Sequence, residues 1–160
     1  MASARSRLLL AAAAVLNGLI AGLDADRTLV AMPAWQVVGP TAWAEFSRQA
    51  DLGNGLFLYP LEAIGGFLLL VGVATSLRSE SASSFRLPLA LWVAIFASAA
   101  GLLLTLVAAP IMLSIRGAAE PASLQNSFAA FRFWGDIRGV CQLVAFIATV
   151  GVLMLTSNRN

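Results

Sequence analysis

Four long apolar runs, separated by short segments that hold most of the charged residues, dominate the chain. The runs occupy residues 8–23, 56–77, 87–115 and 140–156. A helix needs about 20 mostly apolar residues to cross the hydrocarbon core of a bilayer, and each run reaches or approaches that length. No segment has the alternating apolar and polar residues of a membrane β-strand. The pattern therefore predicts an all-α integral membrane four-helix bundle.

The flanking residues set the expected limits of these helices within a single membrane domain of residues 1–160. Pro33 is expected to end the first helix, because proline lacks the N–H group that a helix interior requires. On this basis we predict membrane helices at residues of about 7–30, 55–77, 87–115 and 134–156.

Two shorter amphipathic helices are predicted on the outer side, which is the side away from the chain termini. Gly39-Pro40-Thr41 indicates a turn and a helix start, which predicts an interfacial helix at about 41–52. Pro121 and Ser123 indicate a second one at about 123–133.

Composition agrees with a membrane protein whose surroundings are the lipid bilayer. The 160 residues are 59% apolar and 11% charged, which lies far outside the range of soluble domains. The formal net charge is only +2, and no basic patch with interleaved aromatic residues occurs, so nucleic acid is not an expected partner.

Arginine placement predicts the orientation of the bundle. Arg5, Arg7, Arg78 and Arg86 lie in short flanks with few acids, whereas most arginines of the opposite side have an acid nearby. The positive-inside rule then predicts a multi-pass plasma membrane protein with both termini in the cytoplasm. The sequence leaves open whether the first helix is cleaved as a signal peptide, although Asn17 inside its apolar run favours retention.

Glu62 is the ionisable residue that the apolar pattern explains least. It lies inside the second run, where a charge costs roughly 3 kcal/mol or more unless it meets a partner or water. Ionisable residues at membrane depth usually mark functional sites.

Three helices place polar side chains at helical spacing near their outer ends, so an up-down bundle would bring these side chains together. We expect carboxylates to face arginines there, with Glu62 and Asp24 opposite Arg138 and Arg27. The candidate catalytic residues are Glu62, Arg138, Asp24 and Arg27, and the candidate ligand-binding residues are Asn17, Tyr59, Trp134 and Gln142.

Several kinds of catalysis are excluded by composition. The chain has no histidine and one cysteine, so it lacks a conventional zinc, haem or iron ligand set and a histidine-activated nucleophile. No phosphate-binding glycine motif occurs either. We expect neither a metal nor a cofactor, which leaves acid/base chemistry by carboxylates.

The segment Phe131-Arg132-Phe133-Trp134-Gly135-Asp136-Ile137-Arg138, followed by an apolar run with Gln142, resembles the closing motif of the anthrone oxygenase-like membrane family. The resemblance extends to the four-helix plan and to a long first loop with Trp43 and Phe46. It implies a pocket that includes Trp134 and Arg138. For fungal relatives it also implies cofactor-independent oxygenation of polyketide anthrones.

Three functions are compatible with these residues. The leading one is binding, with or without conversion, of a small hydrophobic molecule in the charged pocket. The alternative is a non-catalytic membrane subunit whose buried ion pairs fix helix packing and whose glycines, such as Gly18 and Gly22, face another copy or a membrane partner. Transport of a small solute or of protons is the third.

Overall fold

The computed structural model describes residues 3–79 and 88–157, and nearly all of these are helical, with no strand among them. Arg86 and the predicted start of the third helix at residue 87 lie outside the described residues. The elements in chain order are α1 Ala4–Asp26, a π-helical segment Arg27–Ala31, α2 Met32–Val38, α3 Pro40–Gln49, a π-helical segment Ala50–Asn54, α4 Gly55–Ser79, α5 Leu89–Ser114 and α6 Pro121–Ser157.

Four stretches of these helices are long and apolar enough to cross a membrane: Ala4–Val38, Pro40–Ser79, Leu89–Ser114 and Pro121–Thr156. Many large apolar side chains on them are exposed, as expected for helices that face lipid. The predicted all-α four-helix membrane bundle is therefore confirmed.

The four long helices pack in a ring, in which α1 and α5 each contact both α4 and α6. Two apolar cores fill the bundle. The terminus-side core consists of Leu10, Ala13, Leu70, Val73, Ala74, Leu77, Leu91, Ala94 and Val152. The outer core consists of Met32, Trp43, Ala44, Ala108, Met112, Ile115, Leu124, Phe128 and Phe131. The buried polar residues that lie between them in the helix sequences include Asn17, Asp24, Ser98 and Gln142.

Pro33 does not end the first helix, contrary to the prediction. The chain passes from α1 through the π-helical segment into α2 and stays helical to Val38, where Gly39 ends it with a φ of +93°. Pro33 lies in the first turn of α2, where the hydrogen-bond pattern changes from π to α. A missing N–H is tolerated in the first turn of a helix, which explains why the helix continues.

The second interfacial helix is not a separate element, because residues 123–133 form the first turns of α6. Gly135 is only a weak helix breaker, at about 1 kcal/mol relative to alanine. Burial of Leu124, Phe128 and Phe131 in the outer core outweighs that cost. With 37 residues, α6 is roughly 55 Å long and exceeds the hydrocarbon thickness of about 30 Å.

The short helix predicted at about 41–52 is present as α3, which begins at Pro40 and ends at Gln49, three residues before the expected limit. The π-helical segment that follows bends at Gly53, whose φ of −89° and ψ of −117° are not helical. This bend directs the chain into α4, so that α3 can pack over the outer core while α4 crosses the membrane.

Candidate functional site

A cavity of about 180 Å³ lies among the outer halves of the long helices, where the predicted polar stripes meet. Its charged lining consists of four carboxylates and two guanidinium groups: Asp24, Asp26, Asp51, Glu62, Arg27 and Arg138. Tyr59, Thr105 and Gln142 add uncharged polar groups, and Trp35 and Phe46 add aromatic surface.

Asp24 of α1 and Arg138 of α6 form one of two ion pairs in this lining. Arg138 Nη2 donates to Asp24 Oδ1 at 2.5 Å, and the two side chains are only 8% and 16% exposed for Asp24 and Arg138. The other oxygen, Asp24 Oδ2, is buried and accepts no hydrogen bond from any described residue. The pair therefore ties two helices together and still leaves an acceptor free.

Arg27 and Asp51 form the second ion pair. Arg27 also lies over two aromatic rings, with its guanidinium carbon 5.5 Å from the centre of Tyr59 and 5.4 Å from that of Phe131. Asp51 Oδ2 is buried and, like Asp24 Oδ2, has no donor among the described residues. Planar stacking together with a carboxylate contact is the environment in which arginine is preferred to lysine.

The pairing of Arg27 corrects the expectation that it would face Glu62 or Asp24. Arg27 begins one π-helical segment and Asp51 lies in the other. Asp51 itself was missed at the sequence level, because Asp51-Leu52-Gly53 has the composition of an ordinary turn.

Glu62 lines the cavity from α4, one helical turn after Tyr59, and is partly buried. Among the described residues no arginine nitrogen lies within 4.0 Å of its carboxylate. The expected ion pair of Glu62 with an arginine is therefore absent there, since an aspartate already binds each of the two cavity arginines. Glu62 is the partly buried carboxylate left without a counter-charge.

Gln142 and Asn17 are two of the buried polar residues that lie between the two apolar cores. Gln142 is 1% exposed, lines the cavity and has no donor for its Oε1. Asn17 does not line the cavity; it packs against Gly66, and its Nδ2 donates to the carbonyl oxygen of Ala13 at 2.8 Å.

Trp134 does not line the cavity either, contrary to its predicted role. It packs against the outer core and meets the ring of Phe133 edge-on, with 5.2 Å between ring centres. Trp35 and Phe46 supply the aromatic walls instead, with their ring centres 5.3 Å apart. Trp35 was missed because the first helix was expected to end before it.

A second cavity of about 80 Å³ adjoins the first, and five residues line both: Arg27, Asp51, Tyr59, Thr105 and Arg138. Its other walls are largely apolar and include Leu56, Pro60, Met112 and Leu113. The ion pair of Arg27 with Asp51 thus stands between a charged compartment and an apolar one.

The described residues contain no group of three Asp, Glu or Cys side chains placed to hold a metal ion. No protein-family model, curated protein or solved structure matches the chain. The resemblance to the anthrone oxygenase-like family therefore stays a prediction.

Proposed function

We propose that this protein binds a small, largely hydrophobic molecule in the cavity below the outer core. The observation that carries the proposal is Glu62, a carboxylate in the cavity lining for which the described residues supply no counter-charge. An ionised group at membrane depth costs roughly 3 kcal/mol or more, so an occupant or water must stabilise it.

The size and walls of the cavity support a ligand rather than water alone. A volume of roughly 150 Å³ is enough for benzene in a protein interior, and this cavity offers about 180 Å³ beside a further 80 Å³. Seven apolar residues, among them Trp35, Phe46 and Ile20, line the cavity together with the charged and polar ones. Small-molecule sites combine apolar surface with polar groups that fix the orientation of the ligand.

Conversion of the ligand, as the oxygenase-like resemblance implies, is an extension of this proposal. Glu62 is the candidate base, because it is the partly buried carboxylate of the lining that no arginine neutralises. The predicted role of Arg27 and Arg138 in holding an oxyanion has less support, since each already binds an aspartate. Binding does not depend on conversion.

A purely structural role for the charges is the second candidate. Asp24 and Arg138 connect α1 to α6, and Arg27 and Asp51 connect the two π-helical segments. Ion pairs that fix helix packing would have this arrangement without any ligand. Under this function the protein is a non-catalytic subunit for a membrane partner or another copy.

We also propose that the protein lies in the plasma membrane with both termini in the cytoplasm, as the arginines indicate. It is supported by Arg5, Arg7 and Arg78 at the terminus end of the bundle. Labelling a cysteine introduced as Ser3→Cys, in a Cys141→Ser background, with a membrane-impermeant maleimide tests it. We expect labelling only after the cells are opened; labelling of intact cells would place the N-terminus outside.

The binding proposal is tested by native mass spectrometry of the purified protein, combined with extraction of co-purifying small molecules. We expect one extracted species in the wild type and its loss in Glu62→Gln. Glu120→Gln makes the same chemical change at an exposed position and should retain the species. No bound species in a folded wild type, or equal amounts in both variants, would favour the structural role.

A further inference from the structure

We infer that the molecule held in this cavity carries a positively charged hydrogen-bond donor, as a protonated organic amine does. This inference rests on the proposed function and adds the chemical class of the ligand. It follows from three features of the lining: its charge balance, its unused acceptors and its aromatic walls.

The charge balance of the lining is negative. Four carboxylates and two guanidinium groups line the cavity, and Asp24 and Asp51 neutralise the two arginines. Asp26 and Glu62 remain; Asp26 is exposed to the surroundings, whereas Glu62 is partly buried. A cation in the cavity would gain Coulomb energy from Glu62, and an anion would be repelled.

The fully buried hydrogen-bonding atoms of the lining that lack a partner among the described residues are all acceptors. Asp24 Oδ2, Asp51 Oδ2 and Gln142 Oε1 are buried without a donor among the described residues. Their side chains belong to residues that are 6%, 6% and 1% exposed, and all three residues line the cavity. A buried acceptor without a donor costs about 1–3 kcal/mol. An ammonium group supplies up to three donors and no acceptor, which complements this set.

The aromatic walls favour an organic cation over a metal ion. Trp35, Phe46 and Tyr59 line the same cavity as Glu62, and aromatic faces attract organic cations within about 6 Å of the ring centre. A metal ion would instead need several oxygen ligands around one point. The described acids are not grouped in that way.

The test compares three probes that share one carbon skeleton: phenethylamine, phenethyl alcohol and phenylacetate. At neutral pH they are a cation, a neutral donor and an anion. Binding to the wild type, Glu62→Gln and Glu120→Gln is measured by isothermal titration calorimetry in lipid nanodiscs. Empty nanodiscs give the correction for partition into lipid.

We expect the wild type to bind phenethylamine at least tenfold more tightly than the alcohol, and phenylacetate most weakly. Loss of a charged hydrogen bond predicts that Glu62→Gln weakens amine binding by about tenfold or more. The same variant should leave alcohol binding nearly unchanged, and Glu120→Gln should behave as the wild type does.

Equal binding of the amine and the alcohol, or preference for phenylacetate, would overturn the amine assignment while leaving a small-molecule site in place. Absence of amine binding to a folded wild type would also overturn it. The extraction experiment decides the proposed function independently, because it reports any bound species whatever its charge.

Discussion

Arg27 and Asp51 form an ion pair that joins the two π-helical segments of the molecule, Arg27–Ala31 and Ala50–Asn54. Each segment lies within one long helical stretch, the first between α1 and α2 and the second between α3 and α4. π-Helical turns inside helices occur often at functional sites, where they redirect side chains. Here they bring a cation and an acid that are far apart in the sequence into the lining of one cavity.

Arg27→Lys keeps the charge of this pair and removes its planar geometry. We expect the backbone amides of residues 50–54 to exchange with deuterium about tenfold faster, because lysine lacks the fork that binds Asp51 and the plane that stacks on Tyr59 and Phe131. Hydrogen–deuterium exchange with mass spectrometry in nanodiscs measures this. Arg116→Lys, at an exposed position, is the matched control. Unchanged exchange in both variants would show that charge alone holds the pair.

The pair of Asp24 and Arg138 should be strongly coupled. Asp24→Asn or Arg138→Gln alone leaves a buried charge without its partner, which costs about 3–5 kcal/mol. The double variant removes both charges, so we expect it to be more stable than the sum of the single changes predicts, by about 1–3 kcal/mol. Denaturant unfolding in detergent micelles, followed by tryptophan fluorescence, gives the unfolding free energies of the wild type, the two single variants and the double variant. Additive effects would mean that the contact contributes little to helix packing.

Gly55 is predicted to be intolerant of alanine. A Cβ atom there would lie 2.6 Å from Tyr59 Cε2 and 2.9 Å from the backbone oxygen of Ala50. Because a backbone atom must move, we expect Gly55→Ala to lose about 1–3 kcal/mol of unfolding free energy.

Gly72→Ala, in the same helix, is the control for this change, since nothing lies within 4 Å of its added Cβ. It should be neutral or stabilising by up to about 1 kcal/mol through helix propensity. The two variants are compared by thermal melts in the same detergent. Equal melting temperatures would contradict the close packing at the start of α4.

The number of membrane helices could be predicted from the sequence, because bilayer thickness dictates the length of an apolar run. The meeting of Asp24, Glu62 and Arg138 at one end followed from the same reasoning, since consecutive helices alternate in direction. Both predictions depend on the length of the apolar runs and on the helical spacing of polar residues, and both can be read from local sequence.

The partner of Arg27 and the aromatic residues of the cavity wall could not be predicted, because the sequence did not indicate the two π-helical segments. Arg27 contacts Asp51 instead of Glu62, and Trp35 replaces Trp134 in the cavity wall. A π-turn has no known composition signal comparable to a helix cap, and it rotates every side chain that follows. The end of the first helix at Pro33 was wrongly predicted, because the missing N–H of Pro33 lies where the hydrogen-bond pattern changes from π to α.

The terminus-side core has a kinetic consequence. Its nine buried apolar side chains come from all four long helices. They lie between the cavity and the end of the bundle that holds the chain termini. A charged occupant would pay several kcal/mol to pass such a layer. It would therefore leave on the side of the membrane from which it entered. The protein would bind this molecule from one face of the membrane without passing it to the other.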